Sequence, residues 1–296
     1  MSPSETDDIT RLSARSFSKL ALFITNELGI KMPDAKLPMV QSRLMRRVRE
    51  LGFNSLDQYA EYFFHSPDAE DERIHFINAI TTNKTDFFRE PVHFDYLTAT
   101  VLPPFSADSA HGRARSVRVW SAGCSSGEEP YTLGIVLSEF AGRNRGFDFS
   151  IFATDVSTRV LERAQAGIYE ESLIAPIPLA LRTKYLLRSK DPGRKVVRMV
   201  PELRRAVTFE RLNFMDATYD VKGPFDVVFF RNVMIYFDRP TQEQVIRQLE
   251  ASLEPGGYLV VGHAESLARG THALDYVRPA VYRKRAGKEG KWSKSS

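Results

Sequence analysis

Polar residues follow the apolar runs in the second half of the chain, at positions where they could hold a small molecule. The run from Val117 to Trp120 leads into a loop of small residues, Ser121 to Gly127, and Glu128 and Glu129 then open a helix. Small residues let a ligand approach the backbone closely, which is typical of a cofactor loop. A dinucleotide loop would carry more glycines and no acids beside the pyrophosphate. The two glutamates therefore favour a ligand with positive or hydroxyl-rich groups.

The next apolar run, Phe149 to Ala153, is followed by Asp155, an acid that could accept hydrogen bonds from ribose hydroxyls. The same carboxylate could instead cap the helix that starts near Ser157. Asn213 follows the run from Ala206 to Phe209, and its amide could meet an adenine edge or only close a turn. S-Adenosylmethionine, with its ammonium, sulfonium and ribose groups, suits this set of polar residues.

Arg231, Asn232 and Tyr236 follow the fourth apolar run. Ligands of open α/β sheets bind outside the carboxyl ends of the strands, so these three side chains are expected at the mouth of the site. The alternative is that Arg231 only forms a surface ion pair with Asp226 or Asp238.

These polar residues can form one site only if the fold brings the ends of the strands together, and the apolar pattern predicts such a fold. Short apolar runs alternate with helical segments, which predicts a doubly wound, Rossmann-like α/β domain over residues 116–284. Prolines interrupt this alternation over about residues 170–203. A hairpin is expected there between Tyr185–Leu187 and Val196–Met199, which predicts a small inserted antiparallel β subdomain.

Upstream, apolar residues recur at helical spacing from Ser16 to Tyr62, and a further helical pattern ends at Thr81. We expect an all-helical N-terminal domain over residues 1–90, with a linker that extends to about residue 115. Residues 285–296 are rich in Lys, Gly and Ser and are expected to form a flexible tail.

The composition is that of an ordinary globular protein: of 296 residues, 43% are hydrophobic and 26% are charged. A net charge of +4 permits acidic partners but is too small for a dedicated nucleic-acid binder. The single cysteine, Cys124, excludes an intrachain disulfide and suits a reducing compartment. The first ten residues do not resemble a signal peptide, and no apolar run is long enough to span a membrane, so a cytoplasmic protein is expected. The six histidines lack zinc-type spacing, so no metal is expected.

Four sequence motifs, in order along nearly the whole chain, resemble those of one family. They are TTNKTDFFRE at Thr81 to Glu90, SSGEEPY at Ser125 to Tyr131, RNVMIYF at Arg231 to Phe237 and GHAES at Gly262 to Ser266. The family is that of the CheR-type chemotaxis receptor methyltransferases, which are S-adenosylmethionine-dependent protein-glutamate O-methyltransferases. The resemblance implies a helical N-terminal domain, an α/β cofactor domain and an inserted β subdomain, the same division that the apolar patterns predict.

Carried onto this sequence, the resemblance implies two catalytic residues near the transferred methyl group, Arg89 and Tyr236. The implied product of the cofactor is S-adenosylhomocysteine. The implied cofactor-binding residues, together with two residues of the small-residue loop, are Asn83, Thr85, Arg89, Ala122, Gly123, Glu129, Asp155, Asn213, Phe214, Arg231 and Asn232.

The implied acceptor is a glutamate side chain, whose carboxylate is already a nucleophile at neutral pH, so no general base is needed. Attack on a sulfonium methyl removes one positive and one negative charge, so a dry site with good positioning favours transfer. Arg89 could orient the acceptor carboxylate, and Tyr236 could steer one of its oxygens. Cys124 is expected to be a compact filler and His263 a structural hydrogen-bonding residue.

The segment from Lys36 to Leu51 is strongly basic, and such a run is usually a solvated face. In the setting of this family, the face could dock the acidic helices of a chemoreceptor's cytoplasmic domain. The predicted docking residues are Arg43, Arg46, Arg47 and Arg49. The hairpin around residues 191–193 lacks the glycine-bracketed turn of relatives that bind a receptor's C-terminal pentapeptide, so that tether is doubtful. We expect a monomer that binds no nucleic acid and does not insert into a membrane.

Three alternatives stay open from the sequence. A Rossmann oxidoreductase that uses NAD is disfavoured by Glu128 and Glu129 at the phosphate position. A methyltransferase of nucleic acid or an amine would carry Asn-Pro-Pro-Tyr after the fourth strand, where Arg231 and Asn232 stand instead. The third alternative is an S-adenosylmethionine-binding regulator without turnover, or a methyltransferase of another acceptor in a chemosensory pathway.

Overall fold

The computed structural model describes residues 11–106, 116–191, 193–268, 270 and 272–286. The N-terminal ten residues, the end of the predicted linker, the tip of the predicted hairpin and most of the predicted tail lie outside the described residues. The predicted domain limits stay predictions.

The N-terminal region consists of helices whose ends follow from local sequence. Ser13 caps the first helix by accepting a hydrogen bond from Ser16 N, and Gly29 ends it at a φ of 67°. Ser55 caps the third helix by accepting a hydrogen bond from Gln58 N. The apolar faces of these helices enclose a core that includes Leu20, Leu44 and Phe76. The helices are α1 (Ala14–Leu28), α2 (Leu37–Glu50), α3 (Leu56–His65), α4 (Glu70–Ile80) and the short α5 (Val92–Tyr96).

Beyond residue 116, strands and helices alternate as predicted. The helices are α6 (Glu128–Arg143), α7 (Thr158–Ala166), α8 (Leu179–Tyr185), α9 (Pro201–Ala206) and α10 (Arg239–Ala251). The strands are β1 (Val117–Ala122), β2 (Phe149–Asp155), β3 (Ile168–Glu170), β4 (Leu186–Arg188), β5 (Val196–Met199), β6 (Val207–Arg211), β7 (Phe225–Phe230), β8 (Leu253–Val261), β9 (Leu274–Arg278) and β10 (Val281–Lys284).

The main sheet has seven strands in the order β6-β2-β1-β7-β8-β10-β9. The strands from β6 to β8 pair in parallel, and β10 runs antiparallel to both of its neighbours. From β1 the chain moves outward to β2 and β6 on one side, and β7 lies on the other side. The gap between β1 and β7 is therefore a topological switch point, where α/β sheets bind ligands. The predicted Rossmann-like fold is confirmed.

The predicted β insertion is present as a separate antiparallel sheet in the order β3-β5-β4. The predicted hairpin pairs Leu187 with Arg198. The hairpin formed by β9 and β10 at the far edge of the main sheet was not predicted. Residues 275–278 of β9 are exposed, so this edge strand lacks the apolar run by which the buried strands were recognised. None of the described helices has the length and apolarity of a membrane-spanning segment.

Candidate active site

A cavity of about 360 Å³ lies at the carboxyl ends of β1, β2 and β7 and is closed on its other side by the N-terminal helices. This volume is in the range of small-molecule sites. Most of the predicted site residues line the cavity: Asn83, Thr85, Arg89, Gly123, Glu129, Asp155, Asn213, Phe214, Arg231, Asn232 and Tyr236. Ala122 does not line it, because its side chain is buried in the core of the sheet.

The small-residue loop after β1 turns sharply over the end of β2. The amides of Gly123 and Cys124 both donate to Thr154 O, each at 2.8 Å. Gly123 has a φ of 82°, and a Cβ there would lie 2.6 Å from a methyl carbon of Val233. A side chain at this position would therefore be strained and would push the loop away from the segment after β7. Cys124 is buried beneath the loop, and its burial raises the pKa of the thiol.

Asp155 is fixed at the end of β2 through both carboxylate oxygens. One oxygen accepts a hydrogen bond from Ser125 N at 2.9 Å, and the other accepts from Ser157 N at 3.0 Å. The bond from Ser157 N comes from the residue that precedes α7, so Asp155 orders the turn into this helix and does not cap its first turn; it also lines the cavity. Burial raises the pKa of Asp155 despite these backbone donors.

Arg231 is a buried cation between two carboxylates. Its side chain is 2% exposed, and its two terminal nitrogens lie 3.0 Å from Glu129 and 3.0 Å from Glu90. Glu129 also accepts a hydrogen bond from Ser121 Oγ at 2.7 Å. The alternative of a surface ion pair was wrong, because Arg231 turns inward from the end of β7 to these glutamates. Asp238, one of the two aspartates considered, instead caps α10 by accepting from Thr241 N.

Glu90 was not predicted as a site residue, although it is the last residue of the first of the four sequence motifs. Its backbone φ is 56°, a left-handed conformation that costs energy for a residue with a side chain. Its carboxylate accepts hydrogen bonds from Arg231, from Asn232 Nδ2 at 3.4 Å and from His263 N at 3.2 Å. Burial is the largest single influence and would raise the pKa of Glu90, but the hydrogen bond and charge of Arg231, together with Asn232 and His263, outweigh it and the pKa is lowered.

Glu265 was also missed, and it holds the segment after β7 without lining the cavity. One of its oxygens accepts from Gly262 N at 2.7 Å and from Asn232 N at 2.8 Å, and the other accepts from Ile235 N at 3.3 Å. Gly262 is required here, because a Cβ would lie 2.5 Å from Asn232 Nδ2. The motif GHAES thus supplies a buried hydrogen-bond acceptor for the backbone amides of the segment that carries Asn232 and Tyr236.

The remaining predicted residues lie on the walls of the cavity. Asn213 accepts from Met215 N at 3.1 Å and donates to Glu27 O at 2.6 Å, so its amide closes a turn and joins α1 to the segment after β6. Asn83 O accepts from Ser125 Oγ at 2.9 Å. Arg89 donates to Lys84 O at 3.2 Å.

The predicted docking arginines of α2 fall into two groups. Arg46 and Arg49 are exposed. Arg47 is only 16% exposed and forms ion pairs with Glu72 and Glu50. Arg43 lines the cavity and donates to Ile80 O and Thr82 Oγ1. Two of the four arginines are thus exposed, although Arg46 also forms an ion pair with Glu50 at 2.6 Å, whereas the other two are engaged within the protein.

The polar groups of the cavity fit S-adenosylmethionine. Glu129 lies in the first turn of α6, directly after the small-residue loop, and Asp155 ends β2. These two acids in the cavity wall suit an ammonium group and ribose hydroxyls and disfavour a pyrophosphate. Phe214 and the apolar residues Ile30 and Val233 offer surface to a planar base. Sheet order and site together define an S-adenosylmethionine-dependent methyltransferase.

Comparison with known proteins narrows this class. The chain belongs to the CheR methyltransferase family: residues 15–81 match its all-alpha domain and residues 83–282 match its SAM binding domain. The predicted cofactor is confirmed by this match.

Three relatives are described as chemotaxis protein methyltransferases. The protein of Borreliella burgdorferi is 38% identical over 268 residues, which cover 90% of this chain and 93% of the relative. The protein of Klebsiella aerogenes is 39% identical, with 87% and 85% covered, and that of Escherichia coli is 38% identical, with 87% and 86% covered. Among solved structures, a putative rRNA methylase of Clostridium thermocellum is 14% identical, covers 61% of this chain and 73% of its own, and has a TM-score of 0.33, too weak a likeness to assign a function.

Proposed function

We propose that the chain transfers the methyl group of S-adenosylmethionine to glutamate side chains of chemoreceptors, which gives glutamate methyl esters and S-adenosylhomocysteine and serves adaptation in chemotaxis-type signalling. The observation that carries this proposal is the charge distribution of the cavity. Three acids, Asp86, Glu129 and Asp155, line it together with five cations, Lys36, Arg43, Lys84, Arg89 and Arg231. A cavity of this kind can hold a cationic cofactor and an anionic acceptor side by side.

The cations supplied by the N-terminal region are partly desolvated. Burial, followed by the nearby charge of Arg43, lowers the pKa of Lys36, and burial also lowers the pKa of Arg43. A carboxylate that enters the cavity would stabilise both charged forms. Neutral acceptors such as an amine or a nucleobase would gain no such interaction, which supports a carboxylate as the acceptor.

When bound, the cofactor supplies a methyl group activated by a sulfonium. The residues of this chain position the acceptor and exclude water. Arg89 is half-buried and its hydrogen bond to Lys84 O restricts its motion, so it can orient a carboxylate without large rearrangement. Tyr236 lies opposite the N-terminal segment, and its carbonyl accepts a hydrogen bond from Lys31 N at 2.9 Å. This contact holds the backbone of Tyr236 at the wall of the cavity, from which its hydroxyl can steer one acceptor oxygen.

The proposed partner is the helical cytoplasmic domain of a chemoreceptor, which places the protein in the cytoplasm. Arg46, with 76% of its side chain exposed, and Arg49 can contact acidic receptor helices beside the cavity. Arg43 can meet the glutamate that enters the cavity. We propose that the protein acts as a monomer.

The proposal is tested by incubating the protein with S-adenosylmethionine labelled in its methyl group and a chemoreceptor cytoplasmic fragment. A matched fragment with glutamine in place of the candidate glutamates serves as control. We expect label in the first fragment only, and we expect mild base to release it as methanol. Base-stable label would contradict a carboxyl ester, and a wild-type protein that binds cofactor but labels no receptor fragment would favour a regulator without turnover.

A further inference from the structure

A second group of side chains lies next to the Arg231 cluster but outside the cavity. Glu90 precedes α5, His93 lies within α5, and His263 follows β8. Each offers one atom that could bind a metal ion, and these three atoms all lie within 4.8 Å of one another. The spacing of histidines in the sequence did not indicate this group, because the fold brings His93 and His263 together from distant parts of the chain.

His93 has unused hydrogen-bonding capacity. It is 3% exposed, and neither ring nitrogen has a hydrogen-bond partner among the described residues. Buried polar atoms are nearly always paired in native proteins, so an unpaired buried imidazole calls for a physical explanation. An imidazole nitrogen without a hydrogen-bond partner is a group that can bind a metal ion.

We propose that Glu90, His93 and His263 bind a divalent transition-metal ion, with Zn²⁺ as the representative ion. Two imidazoles and one carboxylate form a known type of open zinc site, in which water occupies the fourth position. Neighbouring ligand atoms of a tetrahedral zinc site are about 3.3 Å apart, because the metal–ligand bonds are about 2 Å long. The distance from His93 Nδ1 to Glu90 Oε2 is already 3.5 Å.

His263 can complete the site with little rearrangement. Its side chain is exposed, and its ring centre lies 4.6 Å from that of His93. Rotation of an exposed imidazole meets little steric resistance, so the ring can turn one nitrogen towards the metal. The backbone of His263 is held in place, because its amide donates to Glu90.

Two nearby cations oppose the binding of a metal ion. Arg231 lies 3.0 Å from Glu90, and Arg278 is close enough to influence the His93 ring. The carboxylate of Glu129 also lies 3.0 Å from Arg231 and offsets part of its positive charge. The contact from Asn232 to Glu90 Oε1 is long, at 3.4 Å. The oxygen that lies 3.5 Å from His93 is Oε2, which also accepts from Arg231, so a bound metal ion would compete with Arg231 for this oxygen.

Occupancy of this site would be coupled to the cofactor cavity. A metal ion that shares the Glu90 carboxylate weakens its hold on Arg231 and Asn232, both of which line the cavity. We therefore expect Zn²⁺ and the cofactor to lower each other's affinity, since such coupling is reciprocal.

The site is tested by calorimetric titration of the metal-free, full-length protein with Zn²⁺. We expect saturable binding of one ion per chain and a loss of at least about tenfold in affinity in His263→Ala. The matched control is His65→Ala, because His65 is also exposed and lies 3.1 Å from a glutamate, Glu61. The control should bind Zn²⁺ as the wild type does. Absence of saturable binding, or an equal loss in both variants, would overturn the proposal.

A second measurement reports on the ligands directly. With Co²⁺ in place of Zn²⁺, the wild type should show visible absorption bands of a four-coordinate site, and His263→Ala should lose them. Saturation with S-adenosylhomocysteine should weaken Zn²⁺ binding, and an unchanged Zn²⁺ affinity would contradict the coupling to the cavity. Neither measurement needs a methyl acceptor, so failure of the metal site is distinguishable from failure of the proposed methyl transfer.

Discussion

Replacement of Glu265 by alanine should loosen the segment after β7 and weaken cofactor binding, although Glu265 does not line the cavity. The carboxylate is 7% exposed and accepts three backbone hydrogen bonds, from Gly262, Asn232 and Ile235. Asn232 has a φ of 60°, and the hydrogen bond to Glu265 helps to hold this unfavourable conformation.

The size of the effect follows from these contacts. A hydrogen bond to a charged group contributes about 1.5 to 3 kcal/mol, so the two short bonds together give about 3 to 6 kcal/mol. Burial opposes the charge on Glu265 and raises its pKa, and water can reach the freed amides in the alanine variant. We therefore expect a net loss of about 2 kcal/mol or more in the free energy that orders the segment after β7. Cofactor binding to Glu265→Ala would have to supply this free energy, which corresponds to at least about a 30-fold rise in the dissociation constant for the cofactor.

The assay is calorimetric titration with S-adenosylhomocysteine, combined with urea unfolding to measure global stability. The matched control is Glu72→Ala, which removes a glutamate that is 3% exposed and paired with Arg47 and Tyr59 in the N-terminal core. This control should lose stability but keep its cofactor affinity. The reasoning would be refuted if folded Glu265→Ala bound the cofactor as tightly as the wild type, or if Glu72→Ala weakened binding equally.

Three further predictions concern the cavity and the exposed end of α2. Tyr236→Phe should lower the rate of methyl transfer by about tenfold while cofactor affinity is kept, which single-turnover kinetics would measure. Asp155→Asn should weaken cofactor binding by about 1.5 to 3 kcal/mol through loss of a charged acceptor. The pKa of Asp155 is raised in the folded protein, so its contribution to the unfolding free energy falls as the pH rises above the ordinary value of 3.8; urea unfolding against pH should show this slope in the wild type and not in Asp155→Asn. Charge reversal of Arg46 and Arg49 to glutamate should raise KM for a receptor fragment, most strongly at low salt, without a change in cofactor affinity.

Much of the α/β fold and many of the cavity residues could be predicted, because both follow from local sequence. Buried parallel strands are continuous apolar runs, and ligands bind where such strands end. Asp155, Arg231 and Asn232 could therefore be placed before the fold was known. The strand β9 could not, because an exposed edge strand carries no such run.

Residues that act through long-range contacts could not be predicted from the sequence. Glu90 and Arg231 are 141 residues apart, and only the fold shows that they form a buried ion pair. Glu265 belongs to one of the family motifs, but its role in accepting hydrogen bonds from backbone amides depends on the close approach of Gly262 to Asn232. The charge run of α2 likewise predicted a docking surface without showing that Arg47 is engaged by the buried Glu72.

The central claim is that the methyl group reaches a carboxylate oxygen of a receptor glutamate. Tandem mass spectrometry of a receptor cytoplasmic fragment, after reaction with the protein and S-adenosylmethionine, tests it most directly. The account predicts an added methyl mass on glutamate side chains, lost after mild base treatment and absent when those glutamates are replaced by glutamine. An added methyl mass on lysine, arginine or a backbone amine, with glutamates unmodified, would contradict the account.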